Sequence, residues 1–399
     1  MISVSVLRPE AAVKLPWDDL KPFAHNAFMN PLALKAASDT MLAVIYVLVA
    51  WDISVEPMKL VGMWALQGKH LLVFPFLEAL PFNYAALSTP VVHPDYAEEV
   101  LPAFLGAAAR EKGLPHTIVL HDLDAEGREF SAIEHALGSR AQRTFRTDQR
   151  PIATLEQGVK RSGSTRKKLR QDWNRLAAVG AVDLVNVRSP DAIGAALEAF
   201  LELEAKGWKG RGGTALLNNA RDAAFARRLV VDLAARGEAS VALLRLDGQP
   251  VAAQVMLYCG RTAYTWKIAF DEAFGKYTPG NLLVDRISTE LLDSGTVDAI
   301  DSCARGDSFM ASLWAGRKPM VDMVVATRPG FSLSFAALSA YHGGREALKR
   351  LRDNLKGRRA AAKVAASATV PASPAADPTA RPQDVSAEPS PAPTADRAA

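Results

Sequence analysis

The chain has 399 residues, a formal net charge of +4, and a composition that is 49% hydrophobic and 23% charged. This length predicts two domains, and this composition predicts a globular protein with a sizeable core. The small net charge excludes nucleic-acid binding through overall charge alone. Only two cysteines are present, Cys259 and Cys303, which excludes a disulfide framework and a cysteine-rich zinc site.

The N-terminus lacks the order of charged, apolar and small residues that marks a secretory signal. The longest apolar run, Met41 to Trp51, has about half of the roughly 20 residues that a membrane helix needs. The seven histidines are scattered without the spacing of metal ligands, so no metal site is predicted. We therefore expect a cytoplasmic protein without a membrane span.

Residues 1–150 are expected to form a mixed α/β unit. Apolar periodicity and breaker residues predict helices at Pro16–Ala24, Pro31–Ser38, Pro94–Lys112 and Glu126–Leu137. The same criteria predict strands at Met41–Trp51, Met58–Gln67, His70–Leu77 and His116–His121.

Residues 151–335 repeat this kind of order more regularly. Helices are predicted at Thr165–Ala178, Ala192–Lys206, Asn219–Arg236, Leu282–Ser294 and Ser308–Gly316. Strands are predicted at Val182–Val187, Ala239–Leu246, Val251–Tyr258, Thr262–Phe270, Val297–Cys303 and Met320–Thr327. The middle three strands follow one another through short turns and should form an antiparallel meander.

The predicted fold class is therefore α/β (α+β), with a mixed, mainly antiparallel sheet flanked by helices and two similar halves in tandem. The predicted boundaries are 1–150 and 151–335 for the halves, followed by a helical segment at 336–356. The tail at 357–399 is rich in alanine and proline and has no aromatic residue, so it is expected to be disordered.

A glycine-rich loop between two predicted helices is the most unusual segment. Residues 207–216 contain four glycines, one tryptophan and two cations. Glycine permits close backbone approach, and the other side chains offer a stacking surface and donors for anions or carbonyls. A ligand role is predicted for this loop, with its candidate residues at Trp208, Lys209, Arg211, Gly213 and Thr214.

A second unusual segment connects a strand to a helix. Thr278-Pro279-Gly280-Asn281 opens the helix, and the free N–H groups and dipole at such a start favour phosphate. A simple helix cap at Thr278 is the alternative. Asp301, at the end of the next strand, is either a carboxylate of the site or a turn cap.

Residues 140–175 carry eleven Lys or Arg against three acidic residues. Such a basic segment is able to contact RNA, CoA phosphates or an acidic polymer. The alternative is a solvated helix face without a ligand.

Taken together, these segments resemble the GNAT acyltransferase fold, and more narrowly the BioF2-like acetyltransferase domain of CelD-type proteins in cellulose and exopolysaccharide biosynthesis. The resemblance lies in Leu203–Leu216, in Trp266–Glu272, in Tyr277-Thr-Pro-Gly and in Asp301-Ser-Cys. It covers residues 150–330 well and residues 1–150 weakly. The architecture is also similar to that of FemAB aminoacyltransferases, which have two GNAT-like halves.

The resemblance implies that acetyl-CoA or another acyl-CoA is the cosubstrate, bound transiently, and that a saccharide acceptor attacks the thioester directly. It places the CoA pyrophosphate at Tyr277, Thr278, Pro279, Gly280 and Asn281. It also places the N–H that polarises the thioester carbonyl on the preceding strand, around Trp266, Lys267, Ile268 and Ala269. Asp271, Glu272 and Asp301 are the candidate bases, and the loop at 208–214 lines the acceptor pocket.

Two features depart from the GNAT pattern. The usual glycine-rich phosphate loop is replaced by Thr-Pro-Gly, and the helix at 308–316 lacks the tyrosine that often protonates the thiolate. Two alternatives to acyl-CoA transfer therefore stay open. One is a FemAB-type transferase with an aminoacyl-tRNA donor, and the other is a non-catalytic accessory protein that binds polysaccharide or a synthesis protein.

Overall fold

A single mixed sheet organises the chain. The computed structural model describes residues 1–160 and 163–368, and within them thirteen strands join one sheet. The strands are β1 Ile2–Leu7, β2 Ile45–Asp52, β3 Lys59–Leu71, β4 Phe74–Glu78, β5 Val91–Val92, β6 Thr117–Asp124, β7 Gln142–Thr154, β8 Val182–Val187, β9 Ala239–Leu246, β10 Gln249–Cys259, β11 Thr262–Phe270, β12 Ala299–Asp301 and β13 Gly316–Ala326.

Helices cover the sheet and connect its strands. They are α1 Pro9–Ala12, α2 Trp17–Leu20, α3 Pro31–Met41, α4 Ala97–Arg110, α5 Arg128–Leu137, α6 Ser164–Ala177, α7 Pro190–Lys206, α8 Trp208–Arg211, α9 Ala220–Ala234, α10 Pro279–Asp293, α11 Met310–Leu313 and α12 Leu333–Ala368. None of the described helices has both the length and the apolar character needed to cross a bilayer.

The strands lie in the order β1-β2-β3-β4-β6-β13-β7-β12-β11-β10-β9-β8, with β5 attached to β3. The two ends of this order have the same arrangement. From either edge, four antiparallel strands are followed by one parallel neighbour, which is β6 beside β4 and β12 beside β11. A helix separates each parallel pair along the chain, α4 in the first half and α10 in the second. The prediction of two similar halves in one mainly antiparallel sheet is confirmed.

The two halves exchange strands at the centre. The last strand, β13, pairs antiparallel with β6 on one side and with β7 on the other. Because β7 also pairs with β12, the sheet continues without a break from the first half into the second. Residues 1–346 form one compact unit, and the division predicted at residue 150 falls inside β7.

Local sequence explains the helix that matters most for the site. In α10, Pro279 takes the first helical position, where its missing N–H is harmless, and Leu283, Ile287 and Leu291 recur on one buried face. Gly295 follows the helix with a φ of 66°, a conformation that glycine adopts without strain. This buried face packs with α6, α11 and strands β8 to β12 in a common apolar cluster.

Several predicted elements differ from the observed ones. Strands β1 and β7 were not predicted, and the predicted helix at Ser308–Gly316 shrinks to α11, because β13 already begins at Gly316. The segment from residue 357, predicted to be disordered, continues α12 as far as Ala368, since alanine, lysine and arginine all favour helix. The rest of the predicted tail, from residue 369, lies outside the described residues.

Candidate active-site cleft

The site begins where two parallel strands separate. The ladder between β11 and β12 contains three residue pairs and ends at Tyr264 and Asp301. The Thr265 hydroxyl adds one more link by donating to the Ser302 carbonyl at 2.6 Å. Beyond it β11 continues to Phe270 without β12, so one side of its backbone faces an opening in the sheet.

A cleft of about 280 Å³ lies beside this opening. It brings together the end of β11, the first turn of α10 and the junction of α7 with α8, and its lining residues are Leu203, Glu204, Gly207, Trp208, Lys209, Ile268, Ala269, Phe270, Glu272, Gly280, Asn281 and Phe309. Residues predicted separately for the donor and for the acceptor therefore meet in one cavity.

Lys209 fixes the glycine-rich loop to the sheet. Its ammonium group donates to Glu204 Oε1 and to the Ile268 carbonyl, both at 2.9 Å. Glu204 is fully buried, and its other oxygen accepts from the Leu216 N–H at 2.9 Å. Lys209 lines the cleft, and these bonds attach the loop to α7 and to β11.

Glycine is needed at position 210 of this loop. A Cβ there would lie 1.8 Å from the Ala205 carbonyl oxygen, much closer than atoms can approach. The short helix α8 thus packs directly against the last turn of α7. This close approach fixes the direction of α8, which begins at Trp208, relative to α7.

Glu272 closes the mouth of the cleft. Its carboxylate accepts from the Trp208 N–H and from Arg211, both at 2.7 Å. The Arg211 hydrogen bond lowers the pKa of Glu272, which weakens this carboxylate as a base. Trp208 is 60% exposed at the mouth.

The remaining loop residues predicted to bind the acceptor lie outside the cleft lining. Arg211 is held by Glu272, and the Thr214 hydroxyl donates to the Lys209 carbonyl at 3.3 Å. Gly213 has a φ of 72° and turns the chain toward the buried Leu216. These residues shape the loop around Trp208 and Lys209.

The donor side of the cleft is the start of α10. Thr278 occupies the cap position with a φ of 49° and makes no side-chain bond to the first turn, because its hydroxyl donates to Asp172 at 2.9 Å. Among the described residues, no side chain bonds to the first-turn N–H groups of α10, which leaves these groups available to an anion, although the Asp172 carboxylate lies at the cap. Gly280 and Asn281 line the cleft, whereas Tyr277 is buried beneath the Arg175 guanidinium.

A bulge in β11 directs two neighbouring side chains toward the first half of the chain. The register shifts so that Thr265 and Lys267 pair with consecutive residues of β10, leaving Trp266 as the extra residue. The Trp266 indole donates to the Tyr84 carbonyl at 3.0 Å, and the Lys267 ammonium lies 4.3 Å from the Tyr84 ring centre. Burial lowers the pKa of Lys267 to about 8.

Two of the three predicted bases lie away from the cleft lining. Asp271 caps the turn at Glu272–Tyr277 by accepting from the Ala273 N–H at 2.9 Å. Asp301 is buried, accepts from Arg150 at 3.3 Å and from the Cys303 N–H at 2.8 Å, and lines another cavity of about 430 Å³ beside Tyr264. Of the three carboxylates, Glu272 is the one that the cleft lining contains.

An ion network at the centre of the sheet was not predicted. Arg146 and Arg150 lie four residues apart on β7, and both are buried. Arg146 donates to Asp322 at 2.6 Å, and both guanidinium groups form ion pairs with Asp122. His121 extends the network, because its ring lies between Asp322 and Glu78. Burial disfavours the charged imidazolium, but hydrogen bonds to these two carboxylates outweigh it and raise the pKa of His121 to about 9. These arginines were counted in the basic segment, but their burial removes them from any nucleic-acid surface.

Comparisons with known proteins concern the domain and the fold. Residues 163–309 match the family model described as "Acetyltransferase (GNAT) domain", whereas no curated protein matches the chain. A conserved protein of unknown function from Bacteroides thetaiotaomicron VPI-5482 has a similar structure, with 13% identity, coverage of 82% of this chain and 100% of its own, and a TM-score of 0.50.

Two further solved structures share the fold. FemX is 12% identical, covers 79% of this chain and 96% of its own, and gives a TM-score of 0.51. A C-terminal DUF2156 domain from Agrobacterium fabrum is also 12% identical, covers 81% of this chain and 95% of its own, and gives a TM-score of 0.50. Likeness at these identities concerns the fold.

Proposed function

We propose that this chain, an acyltransferase of the GNAT superfamily with its acetyltransferase domain at residues 163–309, uses acetyl-CoA or a related acyl-CoA as donor. The observation that carries the proposal is the cleft where β11 leaves β12. There the uncapped start of α10, the unpaired side of β11 and the glycine-rich loop meet in one cavity.

In the proposed reaction the CoA pyrophosphate binds at Tyr277 to Asn281, and the thioester lies along β11. A backbone N–H between Trp266 and Ala269 donates to the thioester carbonyl and stabilises the negative charge that develops on its oxygen. The acceptor amine or hydroxyl attacks the carbonyl carbon, a new C–N or C–O bond forms, and the C–S bond breaks. The acceptor proton passes to a base, and CoA leaves as the thiolate.

The base is proposed among Asp271, Glu272 and Asp301, with Glu272 nearest to the cleft in the structure. The proposed acceptor is a saccharide of cellulose or exopolysaccharide synthesis. It is supported by the exposed indole of Trp208 at the mouth, which offers a flat apolar face beside hydrogen-bonding groups.

A thermal-shift titration with acetyl-CoA tests the donor. Because a ligand that binds only the folded state stabilises it, acetyl-CoA at 100 times its Kd should add about 2.7 kcal/mol to the free energy of unfolding. Gly280→Val should weaken binding at least about tenfold and leave the unliganded Tm nearly unchanged, since a Cβ at this position meets Phe270 and Ile268 at ordinary distances of 3.5 and 3.7 Å.

Gly194→Val is the matched control, because a Cβ at Gly194 meets no atom within 4 Å and the residue lies in α7, outside the cleft lining. This variant should bind acetyl-CoA like the unmodified chain. No shift with acetyl-CoA, or equal affinity in the Gly280 variant, would overturn the donor assignment.

The second candidate donor is aminoacyl-tRNA. It is favoured by the exposed cations of α6, including Lys167, Lys168 and Arg170. If this donor were correct, tRNA binding would fall steeply as salt rises, and acetyl-CoA would give no shift.

A further inference from the structure

Lys267 lies next to the opening in the sheet, on the face opposite α10. A Cβ at Gly280 of α10 would meet Phe270 and Ile268 at 3.5 and 3.7 Å, so these two side chains point toward α10. Successive side chains of a strand alternate between the faces of a sheet, so Lys267, beside Ile268, points the other way. There its ammonium group lies 4.3 Å from the Tyr84 ring centre. The first turn of α10 and the Lys267 amine therefore lie on opposite faces of the same end of β11.

Lys267 has charged neighbours on three helices but is bonded to none of them. Glu204 of α7, Lys209 of α8 and Asp222 of α9 all act on its charge. The two carboxylates have other donors, since Glu204 accepts from Lys209 at 2.9 Å. Asp222 accepts from the Tyr84 hydroxyl at 2.7 Å. In the part of the chain that the structure describes, Lys267 itself forms no hydrogen bond and no ion pair, whereas the Lys209 ammonium group is held.

This environment favours the neutral, nucleophilic form of Lys267. Burial and the like charge of Lys209 lower the pKa of Lys267 to about 8, although Glu204 and Asp222 oppose the shift. Compared with the ordinary value of 10.5, this raises the neutral fraction at pH 7 by about a hundredfold or more. Desolvation and a neighbouring cation are the means by which proteins activate a lysine as a nucleophile. The side chain is only half-buried, so a reagent is able to reach it.

We propose that Lys267 is a reactive amine and that it is acylated by the acyl-CoA bound at the cleft. The proposal rests on the proposed function, which supplies the acyl group and puts its carbonyl on β11 between Trp266 and Ala269. Lys267 belongs to this stretch of the strand. With the pyrophosphate at the start of α10, the thioester enters the opening from one face of the sheet, and the Lys267 amine reaches it from the other.

The step is a transfer of the acyl group from sulfur to nitrogen. The neutral Nζ of Lys267 attacks the thioester carbonyl carbon, a C–N bond forms, and the C–S bond breaks. CoA leaves as the thiolate and takes up the proton that the nitrogen loses, so the products are an amide at Lys267 and free CoA. The amide carries no charge, so acylation also removes a charge from surroundings that disfavour it. Because an amide does not pass its acyl group on as a thioester does, one acyl group per chain is expected.

Labelling with limiting acetic anhydride, followed by peptide mass mapping, tests the amine without any CoA site. At pH 7, Lys267 should be acetylated about tenfold faster than Lys206, an exposed lysine of α7, because partial burial offsets only part of the gain in neutral fraction. It should also react faster than Lys209, whose ammonium group is held by Glu204. The rate at Lys267 should level off above about pH 8, and the preference should disappear in urea. A Lys267 that reacts no faster than Lys206 in the folded chain would overturn the proposal.

Incubation with acetyl-CoA tests the acylation itself. The intact mass should gain one acetyl group, mapped to Lys267, at a rate that saturates with acetyl-CoA, and Lys267→Arg should abolish this gain. Gly280→Val should need at least about tenfold more acetyl-CoA for the same rate, because it weakens the donor, whereas Gly194→Val should behave like the unmodified chain. Equal rates in the two glycine variants would show that unbound acetyl-CoA is the source, contrary to the proposal.

The thermal-shift titration with acetyl-CoA separates this inference from the proposed function. If acetyl-CoA stabilises the chain but Lys267 stays unmodified, the inference fails while the acyl-CoA donor stands. If acetic anhydride selects Lys267 but acetyl-CoA neither stabilises nor acylates the chain, the acyl-CoA donor fails together with acylation from CoA, and the reactive amine alone stands.

Discussion

Folding places the charged ammonium group of Lys267 in an environment that disfavours its charge. Its ammonium group lies among Tyr84, Trp266 and the α7–α9 layer, and burial lowers its pKa from 10.5 to about 8. At neutral pH the charged form is half-buried without a carboxylate bonded to it among the described residues. Residues that weaken the fold in this way, next to a cleft, are candidates for function.

Replacing Lys267 with methionine should therefore stabilise the fold at pH 7, by on the order of 2 kcal/mol. Between pH 8 and pH 10.5 the unfolded chain binds more protons at this lysine than the folded chain does, so the stability of the unmodified protein rises with pH there. The advantage of Lys267→Met should shrink over the same range. Urea denaturation at pH 7 and pH 10 measures both effects.

Lys206→Met, at an exposed position of α7, is the control and should change the stability little at either pH. If Lys267→Met destabilised the chain equally at pH 7 and pH 10, the lysine would be a packing residue without an unfavourable charge. Greater stability together with reduced acyl transfer would instead identify Lys267 as part of the site.

At the scale of elements, the direction of α8 depends on one glycine. Gly210→Ala places a methyl group 1.8 Å from the Ala205 carbonyl, so α8 must move away from α7 and the Lys209 bonds to Glu204 and Ile268 must stretch. We expect a loss of stability of about 2 kcal/mol or more, and a larger loss of acceptor turnover than of acetyl-CoA affinity. Urea denaturation, steady-state kinetics and the acetyl-CoA titration measure these quantities.

Gly194→Ala provides the comparison within the neighbouring helix α7. Its added methyl group meets no atom within 4 Å, so it should raise helix stability by about 0.5–1 kcal/mol and leave the cleft unchanged. A Gly210→Ala variant as active as Gly194→Ala would show that the close approach of α8 to α7 is not needed for transfer.

Local signals explain why the elements around the cleft were predictable. The meander of β9 to β11 is marked by its turn residues, and α10 by Pro279 and its apolar spacing, so each is specified by residues close together in the sequence. The contacts of the charged residues are not local. Arg150 meets Asp301 across 151 positions, and Arg146 meets Asp322 across 176 positions. No sequence period reports such pairings.

At the scale of the whole molecule, the strand exchange joins the halves physically. Cutting the chain at residue 150 would divide β7 and remove β13 from β6, which exposes strand edges at the centre of the sheet. The network of Arg146 and Arg150 with Asp122 and Asp322 would lose partners at the same time, and buried charges without partners are strongly destabilising.

We therefore expect residues 1–346 to unfold in one cooperative transition, because the central strands β6, β13, β7 and β12 come from both halves and pair with one another. Far-UV circular dichroism in urea should show one transition, and hydrogen exchange should give the same opening free energy for the buried amides of β3 and β10. Fragments 1–150 and 151–346, expressed separately, should not fold, whereas 1–346, which keeps all thirteen described strands, should. Two separated transitions, or a folded fragment 151–346, would show that the second half is autonomous and that β7 is dispensable to it.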